Sequence, residues 1–222
     1  MRESNAALEN ILNLDREKNA LITAELCRKD AKLKKAIEKV GPFSLAKREE
    51  RSIFGALVRS IIYQQLNGRA AATIYGRFTS SFGKRSCPPA SVIQKATDEA
   101  LRECGISRPK LNAIRALCAH QLDGSLPGEK EALVMTDEEL IESLTMVKGV
   151  GLWTAQMLLI FHLGRPDVLP YTDYGVKKGF QRIFHPKETE ELSDLQERLI
   201  KRAKLWHPYR SVASWYMWRV LD

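Results

Sequence analysis

Cysteine is scarce in this chain and falls in no metal-binding pattern. Cys27, Cys87, Cys104 and Cys118 lie 60, 17 and 14 residues apart. With no C-x-x-C pair, neither a zinc site nor an iron–sulfur cluster is expected. The four histidines, His120, His162, His185 and His207, also lack metal-ligand spacing, and each is read as a structural or surface residue. No apolar run approaches the length of a membrane span and no secretory signal opens the chain. No membrane partner is therefore expected. Reduced thiols in an intracellular setting are expected, in cytoplasm or nucleoid, or in the nucleus of a eukaryote. Alternating strand-like patterns are scarce, and there is neither a low-complexity tract nor a repeat long enough for a solenoid.

What is present is positive charge and helical periodicity. Lys and Arg number 35 against 27 Asp and Glu, a net charge of +8. Such an excess is the footprint of a polyanionic partner, although a soluble basic protein would show it too. The charge is unevenly placed. Residues 28–51 carry nine Lys/Arg against four Asp/Glu, whereas EKEALVMTDEELIE (129–142) is strongly acidic. At 222 residues the chain can bury a substantial core, as one large domain or two small lobes.

Apolar residues recur at helical spacing almost throughout, so the predicted class is all-α. Leu21, Leu26, Leu33, Ile37 and Val40 mark an N-terminal helical region that stops at Gly41-Pro42. Ile53, Leu57, Ile61 and Ile62 lead into Ala70, Ala71, Ile74 and Phe78, with Gly68 either between two helices or bending one. Further helices are predicted over 91–97, 98–103, 109–121, 137–145, 152–163, 173–184, 189–203 and 210–220, punctuated by Gly and Pro. The opening MRESNAALENILNLDREKN reads equally as a packed helix or a loose arm.

One stretch stands apart. VKGVGLWTA (147–155) places Gly149 and Gly151 in a turn before a helix. Such a turn bends sharply and offers backbone N–H groups to an anion at the positive end of a helix dipole. Alone it is a weak signal, since tight connections also use glycine. ECGISRPKLNAI (103–114) echoes it faintly, with Pro109 suited to the first turn of a helix. Beyond the turn, GRPDVLP (164–170) leads to Asp173 and YGVKKGF.

These features together resemble the helix–hairpin–helix–Gly/Pro–Asp superfamily of DNA glycosylases. LVRSIIYQQLNGRAAATIYGRF (57–78) is similar to a helix–loop–helix of the alkylpurine branch, and LWHPYRSVASWYMWR (205–219) to its C-terminal helix. The resemblance covers most of residues 24–220 and points to the 3-methyladenine branch, of the AlkA and yeast Mag type. The chain is too short for an added N-terminal β-domain, so a compact helical form is expected.

The resemblance implies roles residue by residue. Asp173 matches the essential aspartate, whose carboxylate stabilises positive charge developing on the deoxyribose; its plainer reading is a helix N-cap, and the two are compatible. Thr172 departs from the acidic residue often found beside it. Trp153 stands where lyase-type members carry a lysine able to form a Schiff base, which implies hydrolysis by water. Trp218 matches an aromatic that stacks on the extruded base, while Trp206 and Trp215 are assigned to the core. Met157 and Tyr63 are also expected in the base pocket; Met157 stands where the AlkA protein has a tyrosine, which opens the question of base range. Leu66 matches a wedge that fills the vacated base stack, with Gln65 and Asn67 beside it on the DNA.

Lys148, Gly149, Gly151 and Thr154 are expected at a phosphate, the last three through backbone N–H groups. Lys110, Lys177 and Lys178 are further candidate phosphate contacts, and each of these four lysines reads equally as a solvated surface residue. Backbone carbonyls of Thr145, Val147 and Val150 are the implied ligands of a monovalent cation. No cofactor is implied as required beyond that sodium or potassium ion, and a monomer on duplex DNA is expected.

The expected organisation is a helical barrel lobe over 54–163, with 1–53 plus 164–222 forming a second lobe that carries Asp173, and an interlobe active-site cleft. The implied activity is excision of alkylated purines, 3-methyladenine and 7-methylguanine, from duplex DNA in base excision repair. Two alternatives stay open: a glycosylase for another damaged purine, and a non-catalytic DNA-binding helix–hairpin–helix module.

Overall fold

The computed structural model describes residues 16–45, 50, 52–184 and 192–222. The opening residues 1–15 and His185 lie outside that set. Every regular element among the described residues is helical, as the periodicity predicts. None of these helices is long and apolar enough to cross a membrane. The chain divides into two compact units, one comprising Met1–Ala46 and Leu163–Asp222, the other Lys47–His162.

In the first unit, α1 (Arg16–Lys29) and α2 (Ala31–Val40) are separated by a single residue. The predicted N-terminal helical region breaks at Asp30, whose side chain accepts from the N–H groups of Lys32 at 3.1 Å and Leu33 at 3.2 Å. This is an N-cap, which satisfies amides that have no partner inside the helix. Leu21 does not join the core as its spacing predicts; it is 73% exposed. The C-terminal half of the unit holds α11 (Tyr174–Phe184), α12 (Leu192–Ala203), a short 3-10 turn (Lys204–Trp206) and α13 (Arg210–Arg219). Leu26, Leu33, Val176, Phe180, Leu199, Trp206, Val212 and Tyr216 form one apolar core.

Asp30 also sits at the base of that core. Its fully enclosed carboxylate accepts from Arg202 Nε (2.8 Å) and Nη2 (2.7 Å) and from the Trp206 indole N–H (3.0 Å). Burial alone would raise its pKa, but the hydrogen bonds from Arg202, Trp206 and the Leu33 amide outweigh it and hold the group below the ordinary carboxylate range. Trp206 and Trp215 are both buried, in keeping with the core role predicted for them.

The second unit contains α3 (Ile53–Tyr63), α4 (Gly68–Ser81), α5 (Ala90–Lys95), α6 (Asp98–Glu103), α7 (Arg108–Leu122), α8 (Glu129–Val134), α9 (Asp137–Thr145) and α10 (Leu152–Phe161). α3 is apolar on nearly all sides and packs against α4, α7 and α10. α8 escapes the sequence reading, because EKEALV has the look of a solvated acidic segment. Its first residue, Glu129, accepts the Ile53 amide at 2.6 Å and contacts His162 Nε2 at 2.9 Å, so a remote carboxylate caps α3. The cysteines behave as packing residues; burial pushes the Cys118 thiol up to about 11.

Candidate active site and nucleic-acid interface

Pro170 ends the connection that leads to Asp173. The aspartate N–H donates to the Pro170 carbonyl at 3.0 Å, and its own carbonyl accepts from Lys177 at 3.1 Å, opening α11. The carboxylate Oδ1 accepts two bonds: from the Val176 amide at 2.7 Å and from the Trp218 indole N–H at 2.8 Å. The first is the N-cap that local sequence predicts. The second is a tertiary contact, joining a half-buried carboxylate to a half-buried indole 45 positions later in the chain. Both Asp173 and Trp218 belong to the first unit.

Two features bring them together, and neither was recognised in the sequence. Gly175 and Gly179 lie one turn apart on the face of α11 that meets α13. A Cβ on Gly175 would lie 2.8 Å from Trp218 Cδ1 and 3.1 Å from Asp173 Oδ1, and one on Gly179 would lie 1.9 Å from the Met217 carbonyl oxygen. The Gly-x-x-x-Gly spacing in YGVKKGF was the available signal; it allows close backbone approach.

The other feature is Asp167. Its carboxylate accepts from Arg210 Nε (2.8 Å), Arg210 Nη2 (2.7 Å) and the Arg210 amide (3.1 Å), and lies 2.6 Å from His207 Nδ1. Burial acts to raise its pKa, but those bonds prevail and lower it. Ser211 adds a second tie, donating through its hydroxyl to Arg165 O at 2.7 Å while accepting from the Val168 amide at 2.9 Å. The connection before Asp173 is thus fastened to the start of α13, the helix that carries Trp218.

The second unit carries the remaining predicted residues. Gly149 has φ +91° and packs against α7, where a Cβ would fall 2.3 Å from the Cβ of Ala113. Gly151 is the N-cap of α10 and receives no side-chain cap bond. Lys148, Gly149 and Gly151 are exposed, and Thr154 is buried with its hydroxyl engaged by Gln64. Trp153 is half-buried on the first turn of α10, whereas Met157 is 5% exposed. A recess of about 390 Å³ beside the turn is walled by Arg108, Pro109, Asn112, Ala113, Lys148 and Gly149. Its basic rim suits a phosphate.

Next to it lies the α3–α4 loop. Leu66 is 39% exposed at its tip, and Gln65 before it has φ +55°, in the left-handed region that side chains other than glycine disfavour. Asn67 caps α4 by accepting from the Ala70 amide at 2.9 Å, a structural duty absent from the sequence reading. Tyr63 accepts from Arg59 Nη2 at 2.9 Å, and the same guanidinium lies 4.1 Å from its ring centroid, so one ring face is covered.

Gln64 was overlooked entirely. Its amide donates to the Gly149 carbonyl at 3.2 Å and to the Thr154 hydroxyl at 2.9 Å, tying the Leu66 loop to the glycine turn. Lys110, read as a phosphate contact or equally a solvated lysine, instead donates to the carbonyls of Ile62 and Gln64, both at 2.8 Å. Burial pushes its ammonium below the ordinary lysine range, and the bonds hold the orphan carbonyls at the end of α3.

The turn's carbonyls include those expected at a cation. Thr145 ends α9, and the Val147 carbonyl accepts from the Val150 amide at 2.9 Å. Thr145 lies at the negative end of the α9 dipole, which favours a cation, whereas Val150 immediately precedes the N-cap of α10. Lys177 and Lys178 are both half-buried on α11, with Lys178 bonded to Gln181 at 3.2 Å. Of the described histidines, His162 and His207 serve carboxylate contacts, and His120 pairs with Ser125 at 2.7 Å. No cluster of three or more metal-ligating side chains occurs among the described residues.

Known proteins resemble this chain in sequence and in fold. The DNA-3-methyladenine glycosylase 1 of Schizosaccharomyces pombe is 33% identical over 172 residues, covering 77% of this chain and 73% of that protein. The alkylbase DNA glycosidase-like protein mag2 of the same yeast is 34% identical, with 86% and 88% covered. A solved structure of the S. pombe 3-methyladenine DNA glycosylase Mag1, in complex with abasic DNA, superposes with a TM-score of 0.81 at 31% identity, covering 89% of this chain and 94% of that one. Residues 58–205 match the family described as HhH-GPD superfamily base excision DNA repair protein, and the chain belongs to that superfamily.

Proposed function

We propose that this protein is a monofunctional DNA glycosylase of base excision repair. It hydrolyses the N-glycosidic bond of alkylated purines, chiefly 3-methyladenine and 7-methylguanine, in duplex DNA and leaves an intact abasic site. The observation that carries the reading is the Asp173 carboxylate, fixed on one oxygen by Trp218 and by the first turn of α11. As the bond from C1′ to the base nitrogen lengthens, positive charge builds on the deoxyribose, and a preorganised carboxylate stabilises it. Water adds its hydroxyl to C1′ and its proton passes to solvent. The cationic alkylated base departs neutral with the bond's electron pair, which makes it a good leaving group.

Trp218 supplies an indole face for that base. A cation over such a face gains about 0.5–2 kcal/mol. Trp153 fills the position at which a lysine would permit lyase chemistry, so no Schiff base forms. Leu66 wedges into the vacated stack, held up by the left-handed backbone at Gln65. The N–H groups of Gly149, Gly151 and Thr154 grip a phosphate, with Lys148 adding charge. The carbonyls of Thr145, Val147 and Val150 would hold a sodium or potassium ion, whose positive charge would add to the attraction for that phosphate. The protein acts as a monomer. That the Mag1 relative was solved with abasic DNA, the product of such a reaction, supports the reading.

The test is base release from methylated duplex DNA. The wild type should liberate 3-methyladenine and 7-methylguanine, and Asp173→Asn should slow release by about 10²–10³-fold while still binding DNA. Borohydride should trap no covalent adduct. A wild type that binds DNA yet frees no base would overturn the proposal and leave a DNA-binding module.

A further inference from the structure

A second basic feature lies in the first unit, away from Asp173. A cavity of about 370 Å³ is lined by Lys32, Lys35, Ala36 and Lys39 of α2 and by Arg182 and Ile183 near the end of α11. Arg182 follows Asp173 by nine residues, about 14 Å along the helix. The three lysines stand at i, i+3 and i+7, on one face of α2, while Leu33 and Ile37 are buried in the core. Lys32 is engaged, donating to the Phe184 carbonyl at 3.3 Å. Lys35, Lys39 and Arg182 are exposed, and among the described residues none has a carboxylate within ion-pairing distance. The nearby acid of α2, Glu38, lies 3.8 Å from Lys34 and lines a different cavity.

Like charges one turn apart on a helix repel, which disfavours the array unless an anion offsets it. Here the cations surround a recess with an aliphatic floor of Ala36 and Ile183. We infer that this pocket is a second nucleic-acid contact, which takes backbone phosphates through Lys35, Lys39 and Arg182. It shares no residue with the glycine turn and takes no part in bond cleavage. Phosphate oxygens match the fork of Arg182 and the point charges of the lysines. Among the described residues the lining is these cations, Ala36 and Ile183, with no aromatic side chain to stack on a base, and contacts to backbone phosphates carry no sequence information. The inference rests on DNA being the partner, not on base release.

The test is the salt dependence of binding to an undamaged duplex of about 30 base pairs. Each phosphate contact contributes about 0.9 to the slope of log K against log salt. The triple variant Lys35→Gln, Lys39→Gln, Arg182→Gln should lower that slope by up to about 2.7 and weaken binding most at low salt. Lys34→Gln, outside the pocket, should change it little. Base release at saturating DNA should match the wild type, so a wild type without glycosylase activity would refute the proposed function while the slope still reports on the pocket. All three side chains are exposed, and circular dichroism should confirm an unaltered fold. A slope equal to wild type in the triple variant overturns the inference. So does a variant that loses polyglutamate binding alone, which would assign the pocket to an acidic polypeptide.

Discussion

In the first unit two ion pairs brace the elements around the candidate carboxylate, whereas in the second unit the surroundings of the glycine turn are held by bonds to backbone carbonyls from an amide, a carboxamide and one lysine. Asp167 and Arg210 lock the connection before Asp173, Asp30 and Arg202 anchor the helices beneath it, and the indole of Trp218 fixes the carboxylate itself. Around Gly149 the ties run through the Val147, Gly149, Ile62 and Gln64 carbonyls, reached by an amide, a carboxamide and one lysine. The difference follows from the tasks proposed for each. A carboxylate acting on developing charge needs a fixed direction, which charge-assisted bonds impose. A turn that grips any phosphate must leave its N–H groups open, so its supports reach the carbonyl side.

The contrast can be broken from either end. The largest expected effect is Asp30→Ala, which removes a buried ion pair, a helix cap and the acceptor of Trp206. A loss near the lower end, about 3 kcal/mol, is expected because Arg202 is 37% exposed. Urea denaturation measures it. The same variant probes acid stability. Asp30 and Asp167 are both held below their ordinary values, so their contribution is complete above the unfolded carboxylate pKa of about 4. It fades as pH falls through the lowered folded values. Asp30→Ala should therefore flatten the fall in stability below about pH 4; an unchanged pH profile would count against the lowered pKa.

In the second unit, Gly149→Ala should cost about 1–3 kcal/mol, because the new methyl meets Ala113 at 2.3 Å on a backbone with φ +91°. Duplex affinity should fall with it, measured by fluorescence anisotropy. Gln64→Ala should be milder, about 1 kcal/mol for two lost hydrogen bonds to a partly exposed site. If it leaves stability nearly intact yet weakens duplex binding, the amide is a positioning group. If stability and binding both match the wild type, the tie between loop and turn is incidental.

Much of this was legible in the chain. Periodicity located α6 and α9 to the residue, and Pro109 and Gly151 marked where α7 and α10 begin. Asp173 was readable as a cap and, through its surroundings, as a candidate catalytic group. Other residues misled. Lys110 carries no local sign that it will turn inward onto two carbonyls, because its partners lie 48 and 46 positions away. Leu21 fits a helical spacing but faces outward, and α8 hides in an acidic segment whose first carboxylate caps a helix 76 positions earlier.

The order of side chains by itself determined the helical class, the helix breaks, the glycine turn and the lack of a lysine at Trp153, because each depends on neighbours within a turn or two. Only the tertiary structure decided that Trp218 would donate to Asp173, that Gln64 would bind the glycine turn, and that Lys35, Lys39 and Arg182 would enclose one recess. Those pairings join residues far apart in the chain. Close contacts at Gly175, Gly179 and Gly149, where no side chain intervenes, and buried polar groups that must find partners select them.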